Sequence, residues 1–183
     1  HVKKEVESRG LKIAALNIEH VCNAEWQFGS FTAHDAEQRK KAIELTKQGM
    51  MIASELNIEV INLWLGQDGF DYVFQSDYAE SWNRLIDGLR QCAEYYPEIK
   101  IGLEYKSSEP KMYCLINNGG KALALAQAVG TPNIGVTLDV GHAFNARENP
   151  SEIASILLNE KRLFHIHLND NYGWLDDDMP LGT

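Results

Sequence analysis

Along most of the chain, apolar positions switch between two periods. Short runs of branched residues are followed by longer stretches in which apolar residues recur every three or four positions. Residues 2–8 have the pattern of a helix tail, with Gly10 at a C-cap position. LKIAALNI (11–18) is a short apolar strand. Over 34–56 the residues Ala36, Ile43, Leu45, Met50, Ile52 and Leu56 keep helical spacing, and Thr32 or His34-Asp35 stands at the expected start. IEVINLWL (58–65) predicts the second strand, running into a turn at Gly66-Gln67-Asp68-Gly69. A long helix over about 77–96 ends before Pro97. The strand 100–106 (KIGLEYK), a helix at 119–129, the strand 134–140 (IGVTLDV), a helix at 151–160 opened by Pro150, and the strand 163–168 complete the pattern. Five strands alternating with four whole helices predict parallel βαβ units.

Such units build either a doubly wound sheet or a (β/α)8 barrel, and the polar residues discriminate between them. Each of the last three strands carries an ionisable residue at its C-terminal end: Glu104, Asp139 and His167. A barrel gathers several strand ends around one axis, whereas an open sheet spreads them along a line. Convergence predicts a TIM barrel, here an incomplete one.

Charge and composition narrow the classes of function. The net charge of −9, with no Lys/Arg cluster to offset it, argues against a nucleic-acid partner, which needs a basic face to displace counterions. No apolar run is long enough to span a bilayer, so no membrane partner is expected. Cys22, Cys92 and Cys114 are odd in number and lack a CxxC spacing, which predicts inert reduced thiols and a cytoplasmic setting. The beginning at HVKKEVESRG and the end at PLGT lead us to expect one domain over 1–183, an internal fragment of a longer protein.

The candidate chemistry lies at the strand ends. Glu104 and Lys106 share a strand face by the period of two, which allows either a site carboxylate with its ammonium or a simple ion pair. In Asp139-Val140-Gly141-His142 a carboxylate and an imidazole stand three residues apart, with Gly141 allowing a sharp turn. In His165-Ile166-His167 both imidazoles face one way, His167 as the candidate ligand and His165 as its support. Asp176-Asp177-Asp178 alone reads as a solvated loop. Beside Glu104, Asp139, His142 and His167, however, it completes a set of oxygen and imidazole donors suited to Mn²⁺, Mg²⁺ or Co²⁺ more than to a thiolate zinc site. No GxGxxG after a strand, GxxxxGK[ST], GxSxG or HExxH offers competing chemistry. Gly119-Gly120, at a helix start, reads as an ordinary loop more than an anion site.

Several stretches resemble the xylose isomerase-like TIM-barrel sugar isomerases, the group of xylose isomerase and L-rhamnose isomerase. GSFTAHDAEQRKKAI (29–43) is similar to the family's stretch after strand three. LWLGQDG (63–69) resembles its WGGREG turn, with Trp64 at the tryptophan that walls the sugar pocket and Asp68 where the motif has Glu. Glu104 and Lys106 match the family's E-x-K. Asp139 and His142 match its bridging acid and histidine, and DDDMPLG resembles its D-x-D loop. Asp139 and His167 both lean toward the rhamnose isomerase branch. The resemblance implies that these are strands three to seven of the barrel, and that the full-length protein is a homo-oligomer.

The resemblance further implies an aldose–ketose isomerase with two divalent metal sites, Mn²⁺ favoured, acting on an open-chain sugar. Glu104, Asp139 and His167 would hold the first metal, and Asp139, His142, Asp176 and Asp178 the second, catalytic one. Lys106 would stabilise charge on the carbonyl oxygen, an effect worth about 2.7–4 kcal/mol for one well-placed donor. Hydrogen would move between C1 and C2 by hydride shift or enediol. The alternatives are a ketose 3-epimerase on the same barrel, an endonuclease IV-like phosphodiesterase, and a non-catalytic binding module.

Overall fold

The helices start where side chains can satisfy orphan amide groups, and the strands run where branched apolar residues can be covered. In a computed structural model describing residues 2–109 and 112–183, the chain opens with helix α1 (Val2–Ser8) and strand β1 (Leu16–Ile18). A 3-10 turn at Ala24–Trp26 leads to α2 (Ala36–Glu55), β2 (Val60–Trp64), the two-residue β3 (Gly69–Phe70) and α3 (Tyr78–Tyr95). Then come β4 (Lys100–Glu104), β5 (Ser108–Glu109), β6 (Met112–Cys114), α4 (Gly119–Val129) and β7 (Ile134–Asp139). The short α5 (Val140–Asn145), α6 (Pro150–Asn159) and β8 (Leu163–His167) follow.

Side chains cap the starts of α2, α3 and α4. Asp35 accepts from the Glu37 amide at 3.0 Å, Asp77 from Glu80 at 2.9 Å and Asn118 from Lys121 at 2.7 Å. Of the candidate starts for α2, Asp35 is therefore the cap. The amide of Gly119 donates to both oxygens of Glu148, at 3.0 and 3.1 Å. An internal carboxylate thus occupies the helix terminus that Gly119-Gly120 offers to an anion.

The five strands β1, β2, β4, β7 and β8 lie side by side in that order, all parallel. Order in space follows order in the chain, as in consecutive barrel strands, with no reversal of the kind that defines a doubly wound sheet. The fold is that of a partial (β/α)8 barrel. Ile61, Leu63, Ile101, Leu103, Ile134, Val136 and Leu138 are buried with Leu85, Leu89, Leu125 and Leu157 of the helices. Each such side chain stabilises by about 1.5–3 kcal/mol. Alternation along the strands leaves the polar set, Asn62, Glu104, Thr137, Asp139, His165 and His167, on the opposite face, the inner face of the barrel wall.

The predicted strand 11–18 is shortened to Leu16–Ile18. It pairs with β2 from Leu16↔Ile61 onward, and β2 begins at Val60, so residues 11–14 meet no backbone partner there. A small antiparallel sheet, order β3-β6-β5, was not expected, since strands of two and three residues carry no periodic signal. It joins the loop after β2 to the loop after β4. Gly69 is needed in it because a Cβ there would lie 2.1 Å from the Tyr113 carbonyl oxygen.

Asp68, in the loop before this sheet, is buried and braces another loop. Its carboxylate accepts from the amides of Ser30 (3.0 Å) and Thr32 (2.7 Å) and from both their hydroxyls. Cys22, Cys92 and Cys114 are in no disulfide, and burial pushes the Cys92 thiol up to about 12. Among the described residues no helix is long and apolar enough to cross a membrane. Because Asp68→Ala strands several buried donors at once, it should destabilise the protein by about 3 kcal/mol. A denaturant midpoint indistinguishable from wild type would show that the brace is unimportant.

Candidate functional site

Trp64, Glu104, Asp139 and His167 are the last residues of β2, β4, β7 and β8. Their register places Trp64 beside Glu104 and Asp139 beside His167. The D-x-x-H spacing has a simple origin. Asp139 is also the N-cap of α5, its Oδ1 accepting from the His142 amide at 2.9 Å, and the first helical turn brings the His142 ring back over the strand ends. Gly141 does not serve the turn expected of it: it lies within α5 and is not left-handed. Its missing side chain matters instead, because a Cβ would lie 2.7 Å from Asn171 Nδ2 and 2.8 Å from Asn169 Oδ1.

Glu104, Asp139 and His142 each offer one donor atom, all within 4.8 Å of one another, and all three residues are buried. They are the one group of three or more such residues with this geometry among the described residues. His167 stands against the same carboxylates, its Nδ1 3.1 Å from Glu104 Oε1 and 3.7 Å from Asp139 Oδ2. His142 Nδ1 is buried without a hydrogen-bond partner, 3.4 Å from Glu104 Oε1. A buried orphan ring nitrogen among carboxylate oxygens fits a divalent cation.

The D-x-D aspartates do not assemble a second group of this kind. Asp176 Oδ2 accepts from Lys106 Nζ at 2.9 Å and lies 3.3 Å from His142 Nε2. Asp178 Oδ1 accepts from Asn169 Nδ2 at 3.0 Å. His142, which the resemblance allots to the second metal, is grouped with Glu104 and Asp139. Lys106 is buried and its ammonium lies 4.9 Å from the centre of the Trp64 ring. His165 lies edge-on to His167 at 5.0 Å, and Asp177 is exposed.

Three cavity or supporting residues escaped the sequence reading. Asn62 donates to Glu104 Oε2, and Asn169 donates to both Asp139 oxygens at 3.1 and 3.2 Å. Asn62 stands two before Trp64 and Asn169 two after His167, so the same period of two would have found both. His20, two residues beyond β1, is buried with its Nε2 3.3 Å from the Ala42 carbonyl, and burial lowers its pKa. With Glu19, Asn62, Trp64, Glu104, Asp139 and His142 among others, it lines a cavity of about 390 Å³.

The charges are coupled. Hydrogen bonding to Asp139 and then to Glu104, though Glu104 is the nearer, pushes His167 up to about 10. Burial pulls His142 down, but Asp176, Asp139 and Glu104 outweigh it and raise the imidazole above its ordinary value. Burial would raise Asp139, yet His167 and His142 hold it low. His142, against burial and with help from Lys106, keeps Asp176 well below the usual carboxylate range.

Comparison with known proteins gives the family and the fold. A family model described as xylose isomerase-like TIM barrel matches residues 1–183, and the chain belongs to that family. Among solved structures it is similar to a D-tagatose 3-epimerase-like protein, at 24% identity and a TM-score of 0.79, over 99% of this chain and 64% of that one. It is also similar to the IolI protein with a bound zinc atom, at 20% identity and a TM-score of 0.72, over 98% and 62% of the two chains. A third, the 3-keto-D-glucoside 4-epimerase from E. coli, shares 15% identity with a TM-score of 0.75, over 93% and 64%. The chain thus spans less than two thirds of the length of these structures, and the likeness at such identities is one of fold.

A histidine with a raised folded-state pKa stabilises the fold in full below its unfolded value of 6.5 and loses that contribution as pH climbs through the folded value, about 10 for His167. The metal-free protein should therefore lose stability across this window. Divalent-metal binding, which must displace protons, should tighten across it. Calorimetry in buffers of different ionisation enthalpy measures the protons released; metal affinity independent of pH would contradict the assignment.

Proposed function

We propose that the protein is a divalent-metal-dependent isomerase or epimerase of a small sugar, moving a proton on a carbon beside the sugar's carbonyl group. The observation that carries this reading is the convergence of Glu104, Asp139 and His142, with the orphan His142 Nδ1, at the strand ends of a barrel of this family. His167 completes the donor set we assign to the metal. A divalent ion held there would act as a Lewis acid toward neighbouring sugar oxygens.

The remaining roles belong to side chains around that group. Trp64 walls the sugar. Lys106, held against Trp64 and Asp176, places positive charge near the oxygen that becomes negative as the carbon loses its proton. Asp176 stays ionised and orients a sugar hydroxyl through Oδ1, which is buried without a hydrogen-bond partner. Asp178, also lining the cavity, is the carboxylate we assign to proton transfer.

One group with metal-binding geometry among the described residues, where a two-metal hydride shift would use two, supports proton transfer. Return of the proton to the opposite face of the same carbon gives 3-epimerisation of a ketose, the form we favour. The epimerases among the similar folds support it. Return to the neighbouring carbon gives aldose–ketose isomerisation, the second reading, favoured by the Glu104/Lys106 pair. Manganese, magnesium or cobalt suits the donor set, and the zinc bound by the IolI protein adds a fourth candidate.

Turnover of ketoses in D₂O separates these forms. Epimerisation places deuterium at C3 with no aldose formed, isomerisation places it at C1 or C2, and a hydride shift places none. Lys106→Met should lower kcat by about 10²–10³-fold, and chelation should abolish turnover reversibly. Full activity after exhaustive metal removal would sink the proposal.

A further inference from the structure

After β3 a short turn presents apolar side chains to solvent. Phe74 is 87% exposed, Tyr72 60% and Val73 59%. The turn is held from within: Gln75 Oε1 accepts from the Asp71 amide at 2.6 Å, the Gln75 amide donates to the Tyr72 carbonyl at 3.1 Å, and the Tyr78 hydroxyl donates to the Val73 carbonyl at 2.5 Å. Phe70 of β3 stacks on Tyr113 at 5.4 Å and meets Tyr78 edge-on at 5.1 Å, which joins the turn to the small sheet. Phe74 therefore stands out from a fixed base.

A groove of about 400 Å³ adjoins this turn. Asp71 and Gln75 of the turn line it, and Phe28, itself 81% exposed, and Met112 give it an apolar part. Its acidic neighbours are engaged, since Asp77 caps α3 and Glu80 accepts from Arg84. A projection and a recess thus lie side by side on one face, as a contact between identical surfaces requires.

The position of this face bears on what covers it. Further strands of a barrel would pair at the open edges, β1 and β8, whereas the turn and the small sheet belong to the loops after β2 and β4, which lie inside the sheet order. Closing the barrel would therefore not require covering them. Phe28, Tyr72, Phe74 and Tyr113 together expose roughly 550 Å² of aromatic side chain, most of the roughly 800 Å² that each partner buries in a standard interface. We infer that this face pairs two copies of the chain about a twofold axis, Phe74 of each copy seated in the groove of the other against Phe28. The groove is large enough to admit an aromatic ring.

Sedimentation of the full-length protein at micromolar concentration tests this. Wild type should run as a dimer or a multiple of one. Phe74→Asp and Phe28→Asp, both at exposed positions, should each raise the dissociation constant roughly 30-fold or more, with the circular dichroism of wild type retained. In a Cys22→Ser background, which removes the exposed native thiol, protein carrying Phe74→Cys mixed with protein carrying Phe28→Cys should form a disulfide-linked pair containing one of each. A monomeric wild type, or an assembly that neither aspartate variant weakens, would overturn the inference, and absence of the mixed pair would overturn the seating of Phe74 on Phe28.

Discussion

Two buried carboxylates at adjoining strand ends, Glu104 and Asp139, set the terms for everything around them. With donor atoms within 4.8 Å, they repel by roughly 3 kcal/mol at an effective dielectric of about 20. Nearby positive charge relieves that repulsion. His142 and His167 answer that demand when protonated, and a divalent cation would answer it better. The raised imidazoles and the low Asp139 are two views of one electrostatic fact.

The fold is arranged to hold this arrangement against its own repulsion. Apolar residues buried against the helices hold β4 and β7, the two strands that carry these carboxylates. Asn62 and Asn169 then fix each carboxylate by donating to it. Gly141 leaves room for Asn169, and the Asp139 cap brings His142 into place. Asp68, with no part in the chemistry, steadies the Ser30–Thr32 loop through buried hydrogen bonds. A second balance, Lys106 against Asp176, lies beside the first.

Much of this was legible in the chain. Period and branching placed the five strands and their helices, and Asp35 and Asp77 stood at the helix starts they cap. Polar residues at strand ends pointed to a barrel, and together with the acidic loop and the family resemblance they named Trp64, Glu104, Lys106, Asp139, His142, His167, Asp176 and Asp178, all but Lys106 of which line one cavity. The resemblance groups His142 with Asp139, Asp176 and Asp178; in the structure its Nε2 lies 3.3 Å from Asp176 Oδ2, and the helical turn that starts at Asp139 groups its ring with Glu104 as well. Asn62 and Asn169 were passed over because an amide carries no charge and so draws no notice in a search for ligands.

The sequence by itself determined the alternation of elements, because the side-chain period of two or of 3.6 is a local property of the backbone. It also determined which residues reach the strand ends, since that follows from counting along each strand. Which of those residues meet was decided only by the tertiary structure. The partners of Glu104 lie 38 and 63 positions further along, at His142 and His167, and the partner of Lys106 lies 70 further, at Asp176. Contacts over such separations depend on strand register, on the bulge between Val136 and Thr137, and on the hydrogen bond from Asn145 to the Leu175 carbonyl that tethers the final loop. None of these leaves a periodic trace in the chain.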